Sequence, residues 1–439
     1  MEINLVESEE RDYQNFPEEN FGSSNNAVEE ILAETQENSG GNSMFRQAVR
    51  WLVYAAAFLT PLWFLPFTAD RLEFNKQVLL IAIAGAGLVL YLTDIIKNGV
   101  MRYRKTPFYL PVLALVSAGV VSMIFSVHRA TSIFGFAESR SFSLISLISL
   151  AVLFLLAVNT IEDKGRTLKK ILSLSFALAL LYGSLQVFGL YVVGGSGFGS
   201  RAFNSVGSLN SLGVLAALSL AFFTSSIFLS KKGAETEQES SWLDKSVWAV
   251  RYPGLVLSLF VVVLINWWPI WTVAFVSLLA SVAFAAAGDA TMIKKGKMRL
   301  FVVPMAVMVI GIFLMLINFS WTSIKSKLPV EVAPSQRVSW KIALDSLKSR
   351  PFGFGAENFA VAYDKLKPSS IANSVFYQIR FSDATSETAN LVIEQGVLMT
   401  LAFLLLLWFY ARGFVSRIKG AFYGDGEAGA VWAASLGLI

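Results

Sequence analysis

The sequence predicts an all-α polytopic membrane protein with about 10–11 transmembrane helices and one long extracytoplasmic loop. The chain is 55% hydrophobic and only 15% charged. Its apolar residues fall in repeated runs of about 17–22, the length that crosses roughly 30 Å of hydrocarbon as a helix. These runs are continuous, whereas a transmembrane barrel alternates apolar and polar residues. Helices are therefore the structure that satisfies the backbone in lipid.

The first 45 residues differ from the rest of the chain. Residues 1–43 hold eleven acidic residues and one basic residue, Arg11, among Asn, Ser, Gly and Gln. Such a segment buries too little apolar surface to offset the entropy lost on ordering. It also lacks the basic start and apolar centre of a signal peptide. We therefore expect a disordered, acidic, cytoplasmic tail over residues 1–45.

Ten apolar runs follow the tail, and we expect each to be a transmembrane span. Their approximate limits are residues 48–67, 76–96, 108–126, 142–159, 168–190, 210–230, 253–267, 270–287, 300–318 and 391–411. The last run, 429–439, is too short to cross, so we expect a truncated final span rather than a half-embedded helix. The predicted regions are an N-terminal bundle over 46–319, a loop with short helices over 320–390 and C-terminal spans over 391–439.

The distribution of Lys and Arg orients the spans. Basic residues precede the first span and follow the second, fourth, sixth, eighth and tenth. Cytoplasmic connections carry this excess of positive charge. The N-terminus is therefore expected in the cytoplasm and the loop 320–390 outside. Because the positive charge belongs to these connections, we expect the lipid bilayer as a partner and no nucleic acid.

Residue composition excludes several kinds of chemistry. The chain has no cysteine, so disulfides and thiolate catalysis are excluded. His128 is the only histidine, and no group of residues has the spacing of a zinc site. We expect neither a metal nor another cofactor. A transporter is disfavoured because the spans are almost free of charge and show no internal repeat.

The first part of the long loop predicts a short amphipathic helix over Pro334–Lys348. Three apolar residues fall at i, i+4 and i+7: Trp340, Leu344, Leu347. Three cations lie beside them: Arg337, Lys341, Lys348. Such a helix presents positive charge to a phosphate group, and the planar guanidinium of arginine suits phosphate oxygens best. The alternative is a helix that lies on the membrane with its cations extended to the headgroups.

Gly353 and Gly355 predict a tight turn in which the backbone approaches another group closely. Asn358 follows three residues later. The two glycines are not a dinucleotide fingerprint, because no strand precedes them. The group that they approach is either a ligand or another segment of the loop.

Two further arginines are candidate phosphate ligands. Arg201 is the only charged residue between Tyr191 and Asn210, near the end of a span. Such an arginine marks an ion partner or a substrate path, or it extends to the lipid headgroups. Arg380 lies in the last third of the long loop, where we expect a third phosphate contact.

The order of these motifs resembles the core domain of the O-antigen ligase and O-antigen polymerase family. The resemblance is carried by Arg337 with Trp340, by the run from Pro351 to Phe359, and by Glu394 with Gly396 at the start of the next span. Arg201, followed by the turn 207–210, is similar to a second family motif. The resemblance covers nearly the whole chain after residue 45.

The resemblance implies a GT-C-like glycosyltransferase of the bacterial plasma (inner) membrane. Such proteins move a glycan from a polyprenyl-pyrophosphate carrier to a lipid, glycan or protein acceptor at the outer face. Arg337 and Arg201 are the positions that match the family's pyrophosphate-binding arginines. With the residues above, the expected substrate-binding set is Arg337, Arg201, Arg380, Lys341, Trp340, Gly353, Gly355 and Asn358.

The chain departs from the family at the general base. The family places a His-Asn pair about nine residues before the Glu-x-Gly motif, where this chain has Thr385 and Ser386. Threonine is no base near neutral pH, so a neighbouring carboxylate, Asp383 or Glu387, is the expected base, with Glu387 preferred. The alternatives are a glycan polymerase, a protein that binds lipid-linked glycan without turnover, and a transporter.

Overall fold

A computed structural model describes residues 43–68, 70, 72–99, 101, 103–135, 143–163, 165–194, 198–229, 242–288, 299–317, 321–328, 332–371 and 377–421. Every regular element in these ranges is a helix. Almost all of the predicted acidic tail (1–45) and the whole of the apolar run 429–439 lie outside the described residues.

The described residues form fourteen α-helices, which are numbered here in chain order. They are α1 (Met44–Leu59), α2 (Glu73–Asn98), α3 (Tyr109–Ile124), α4 (Arg129–Phe134), α5 (Leu144–Thr160), α6 (Arg166–Phe188), α7 (Leu209–Thr224), α8 (Trp242–Ile265), α9 (Trp268–Gly288), α10 (Arg299–Leu316), α11 (Thr322–Lys325), α12 (Gln336–Ser349), α13 (Phe359–Leu366) and α14 (Glu387–Ala421). A π-helical turn (Ser225–Leu229) extends α7, and a 3₁₀ turn (Ser369–Ile371) follows α13.

Each of the ten predicted spans overlaps one of these helices, and a helical membrane protein is confirmed. The end of the first span was predicted wrongly, since α1 ends at Leu59 and not near residue 67. Five helices are long and apolar enough to cross a bilayer: α2, α6, α7 with its π-helical turn, α8 and α14. Four shorter apolar helices accompany them: α3, α5, α9 and α10. The start of the seventh span was predicted wrongly, since α8 begins at Trp242 and contains Pro253. Proline inside a membrane helix is tolerated because neighbouring groups satisfy the freed carbonyl.

The largest apolar cluster lies where α7 packs between α8 and α9. Leu212, Leu220 and Trp271 are essentially inaccessible there. Gly213 has no side chain, and a Cβ at that position would lie 2.3 Å from a side-chain atom of Ile270. Small residues of this kind let membrane helices approach closely, because packing rather than water exclusion holds them together.

Three arginines bind the carbonyls at the C-terminal end of α5. Arg46 donates to the carbonyl of residue 159 at 3.3 Å, Arg50 to that of 160 at 3.0 Å, and Arg104 to that of 161 at 2.9 Å. Cations are favourable at a helix C-terminus, where carbonyls lack partners within the helix. The start of α1, the segment after α2 and the end of α5 therefore lie on one side of the bundle, as the alternating basic connections predict.

The long loop contains a small folded unit, which we call the loop module (residues 334–366, containing α12 and α13). Its apolar side chains pack with those of residues 381–393 in a cluster of their own, which includes Ile342, Phe359 and Ile393. Ser346 of α12 also donates a hydrogen bond to the Ile393 carbonyl at 3.2 Å. The module is thus held against the N-terminal part of α14.

Candidate functional site

The loop module is attached to α14 through backbone hydrogen bonds between residues 351–355 and 393–397, which we call the glycine contact. The bonds run from Phe354 N to the Ile393 carbonyl (3.1 Å), from Gly355 N to the Glu394 carbonyl (2.7 Å) and from Val397 N to the Pro351 carbonyl (2.8 Å). They pair two segments that lie about forty residues apart in the sequence. The pairing occurs where α14 departs from helical geometry, at Gly396.

Three glycines make the glycine contact possible. Gly353, Gly355 and Gly396 have φ values of +83°, +96° and +73°, which side chains disfavour. A Cβ at Gly353 would lie 2.2 Å from the Glu394 carbonyl oxygen. The group that this tight turn approaches is therefore a segment of the same chain. A contact between these glycines and substrate stays a prediction.

Asn358 ties the loop module to the turn between α3 and α4. Its side chain is 2% exposed. The amide nitrogen donates to the hydroxyls of Ser126 at 3.3 Å and Ser132 at 3.1 Å, and to the carbonyls of residues 355 and 356. Four acceptors surround two hydrogens, so the Asn358 amide nitrogen is fully engaged within the protein.

The face of α12 that packs against the protein is not the predicted apolar stripe. Val338, Ile342 and Ala343 are the buried apolar residues, whereas Trp340 and Leu344 are 40% and 58% exposed. Leu347, the third residue of the predicted stripe, is half-buried against the same cluster. The helix has apolar residues on two faces. The face that packs against α14 is the one with Val338, Ile342 and Ala343. Trp340 and Leu344 are consequently left at the surface beside the cations.

Arg337 and Lys341 are exposed on α12, and neither makes a hydrogen bond or ion pair with a described residue. They lie four residues apart, where like charges repel each other by about 0.2–0.5 kcal/mol on a helix. An anion placed between them removes that repulsion. These two cations are predicted ligands that lie on one face of the same helix, as the sequence predicts.

Arg201 is engaged elsewhere. Its guanidinium donates to the Val187 carbonyl at 3.2 Å and lies over Gly189, which ends α6 in a left-handed conformation. A cation at this position stabilises the C-terminus of α6. Arg201 and Arg337 share no hydrogen-bond partner among the described residues. Arg380 pairs with Asp364 of α13 at 3.2 Å, and both side chains are largely exposed.

The two candidate bases are held differently. One oxygen of Asp383 accepts from Asn390 at 3.2 Å and the other from Ser382 at 3.0 Å, so its carboxylate has a defined orientation. Glu387 is exposed at the first position of α14. Two hydrogen bonds therefore orient the Asp383 carboxylate, whereas the sequence favoured Glu387 as the base.

Thr385, which stands where the proteins that the sequence resembles have histidine, links this segment to α12. Its backbone N–H donates to the Ser339 hydroxyl at 3.1 Å, and its own hydroxyl donates to the Pro334 carbonyl. Ser339 lies two residues after Arg337 and two before Lys341. The segment that carries Asp383 is therefore bonded to the same turn of α12 that carries the two cations.

Sequence reasoning missed the role of Glu394. Its side chain is 6% exposed, and its two carboxylate oxygens accept from the backbone N–H of Glu357 at 3.0 Å and of Phe359 at 3.1 Å. The signal in the sequence was the Glu-x-Gly motif at the start of an apolar span, which carried the resemblance but gave the carboxylate no role. In the same module, burial raises the pKa of Tyr363, and the charge of Asp364 adds to this effect.

Comparisons with known proteins found no matching family model, no similar curated protein and no similar solved structure. Within the described ranges, no group of three or more His, Asp and Glu side chains is placed to hold a metal ion. The resemblance to O-antigen ligases and polymerases therefore stays a prediction that rests on the motifs themselves.

Proposed function

We propose that this protein transfers a glycan from a polyprenyl-pyrophosphate carrier to a lipid, glycan or protein acceptor at the outer face of a bacterial plasma membrane. In this proposal it is an O-antigen ligase-like enzyme with a GT-C-like fold. The observation that carries the proposal is the exposed pair Arg337 and Lys341, which has no charge partner among the described residues. The helix that bears the pair is attached to the end of an apolar helix long enough to cross the bilayer.

The position of α12 supports a substrate that lies at the membrane surface. Besides the bond from Ser346 to α14, Arg350 at the end of α12 contacts the Phe125 carbonyl, just after α3, at 3.5 Å. Phe125 and Phe352 stack with their rings 4.6 Å apart. The C-terminal end of α12 is thus fixed beside the end of α3 and the first turns of α14, and the bond from Thr385 to Ser339 holds the cation-bearing start near the first residue of α14. A lipid in the bilayer carries its phosphates at this level.

The cations supply the main catalytic effect. Transfer breaks the bond between the anomeric carbon and the phosphate oxygen that joins the sugar to the carrier. The bonding electrons leave with the pyrophosphate. Arg337 and Lys341 stabilise this negative charge, and in many enzymes such electrostatic stabilisation contributes most of the rate enhancement. Arg337 binds two phosphate oxygens through its planar group. The exposed Trp340 provides an aromatic surface for a sugar ring or the lipid.

Asp383 is the proposed general base. The acceptor oxygen or nitrogen attacks the anomeric carbon, and its proton passes to the Asp383 carboxylate. Asn390 and Ser382 orient that carboxylate. Glu387, four residues further on, is the alternative base.

Purified protein in lipid nanodiscs, supplied with polyprenyl-pyrophosphate oligosaccharide and a set of candidate acceptors, tests the chemistry. Asp383→Asn is expected to lower the rate of carrier release by about 100-fold or more, the usual contribution of a general base. Asp345→Asn, towards the opposite end of α12, is the matched control and should retain the rate. If both Asp383→Asn and Glu387→Gln transfer at the wild-type rate, no carboxylate of this segment is the base.

A protein that binds lipid-linked glycan without turnover is the second candidate. It is favoured by Thr385, because the hydroxyl at the family's histidine position is engaged by the Pro334 carbonyl. If the protein is such a binder, the same nanodisc assay will show that it retains the carrier lipid with its glycan and transfers the glycan to none of the acceptors supplied.

A further inference from the structure

The buried carboxylate of Glu394 connects α14 to the start of α13. One oxygen accepts from the Phe359 N–H, the first residue of α13, and the other from the Glu357 N–H. The first N–H groups of a helix have no partner within the helix. The Glu394 side chain, from a different helix, satisfies one of them, the Phe359 N–H, and its other oxygen binds the N–H of Glu357 two residues earlier.

Glu357 is held in an unfavourable backbone conformation. Its φ is +63°, in the left-handed region, and it is one of two described non-glycine residues with positive φ. This conformation is unfavourable for any residue with a Cβ, and such a residue keeps it only where surrounding contacts hold the backbone there. The Glu394 carboxylate binds the N–H of this same residue.

We infer that Glu394 is a positioning residue, whose carboxylate holds Glu357 in the left-handed conformation and thereby fixes α13 and the loop module on α14. This inference goes beyond the proposed transfer reaction and does not depend on it. A carboxylate suits the task because both of its oxygens accept hydrogen bonds. An amide offers one acceptor and one donor, so glutamine would leave one of the two N–H groups facing another donor.

The absence of cysteine from the chain makes a single-cysteine reporter possible. Ala362 of α13 is fully buried, so a cysteine introduced there reacts with a hydrophilic maleimide only when α13 leaves its site. The full-length Ala362→Cys protein, in nanodiscs, gives the reference rate of labelling. Adding Glu394→Gln is expected to raise that rate by roughly tenfold or more, since a buried N–H loses its acceptor.

Asp364→Asn is the matched control. It makes the same change of carboxylate to amide on α13 itself, but Asp364 is exposed and its ion pair with Arg380 contributes little to stability. The rate of labelling should stay within about twofold of the reference. Equal rates in the Glu394→Gln and reference proteins would overturn the inference.

Glycine at position 357 separates positioning from general destabilisation. Glycine adopts the left-handed conformation without the steric cost, so adding Glu357→Gly to the Glu394→Gln protein should slow labelling again by about fivefold. A double variant that labels as fast as Glu394→Gln alone contradicts the inference. If Glu394→Gln alone yields no monodisperse protein, the double variant is expected to yield it, and failure of both also contradicts the inference. None of these outcomes measures transfer, so they leave the proposed function to its own test.

Discussion

Replacing Arg337 by alanine is expected to reduce glycan transfer by about 100- to 1,000-fold, the usual loss when one group that stabilises a developing charge is removed. The protein itself should fold normally. Arg337 is exposed and has no partner among the described residues, and substitutions of that kind change stability by about 0.5 kcal/mol or less. Transfer by purified variants, normalised to folded protein, gives the measurement.

Two further variants make the Arg337 experiment specific. Arg337→Lys keeps the charge but loses the planar fork, so an intermediate rate is expected. Lys348→Ala removes a cation from the same helix that already lies 3.7 Å from Asp345, and it should retain activity. Wild-type transfer by Arg337→Ala would remove this residue from the proposed site, whatever the other variants do.

Replacing Gly353 by alanine is expected to prevent the loop module from docking on α14. The new Cβ would lie 2.2 Å from the Glu394 carbonyl oxygen, a backbone atom that cannot move aside, and φ at this position is +83°. Substitutions that combine overpacking with backbone strain cost about 4 kcal/mol or more. The thermal transition of the purified protein should fall sharply, or the protein should fail to accumulate in the membrane.

Glycines elsewhere in the chain supply the controls for this experiment. Gly99 also has a positive φ, +64°, but a Cβ there meets no atom within 4 Å, so alanine should cost only about 1–2 kcal/mol. Gly85 lies within α2 with open space around it, and alanine should be neutral or stabilise by up to about 1 kcal/mol. Equal stability of the Gly353→Ala and Gly85→Ala proteins would contradict the proposed glycine contact.

The positions of the membrane helices could be predicted because the hydrophobic signal is local. Each apolar run of about 17–22 residues specifies a helix whatever its neighbours are, since unpaired backbone groups are costly in lipid. The error at α8 has the same origin. Pro253 normally marks a helix boundary, and the packing that tolerates it inside a membrane helix is not visible in the local sequence.

The site could be predicted only in part, because its contacts join distant segments. The tight turn at Gly353 and Gly355 was correctly expected, but its partner at 393–397 follows only from the fold. The two faces of α12 were indistinguishable by periodicity, and contact with α14 determines which one is buried. Arg201 donates to a carbonyl at the end of α6, and Glu394 accepts from an N–H at the start of α13. Neither helix end is next to the residue that binds it in the sequence.

The proposed function depends above all on Arg337 and Lys341 together binding the pyrophosphate of a lipid carrier. Retention of polyprenyl pyrophosphate and polyprenyl monophosphate by the purified protein, measured by native mass spectrometry, tests this most directly. We expect the wild-type protein to retain the pyrophosphate lipid preferentially and the protein with Arg337→Ala and Lys341→Ala to lose this preference. Equal retention of both lipids by the wild-type protein, or an unchanged preference in the double variant, would contradict the proposed role of the two cations.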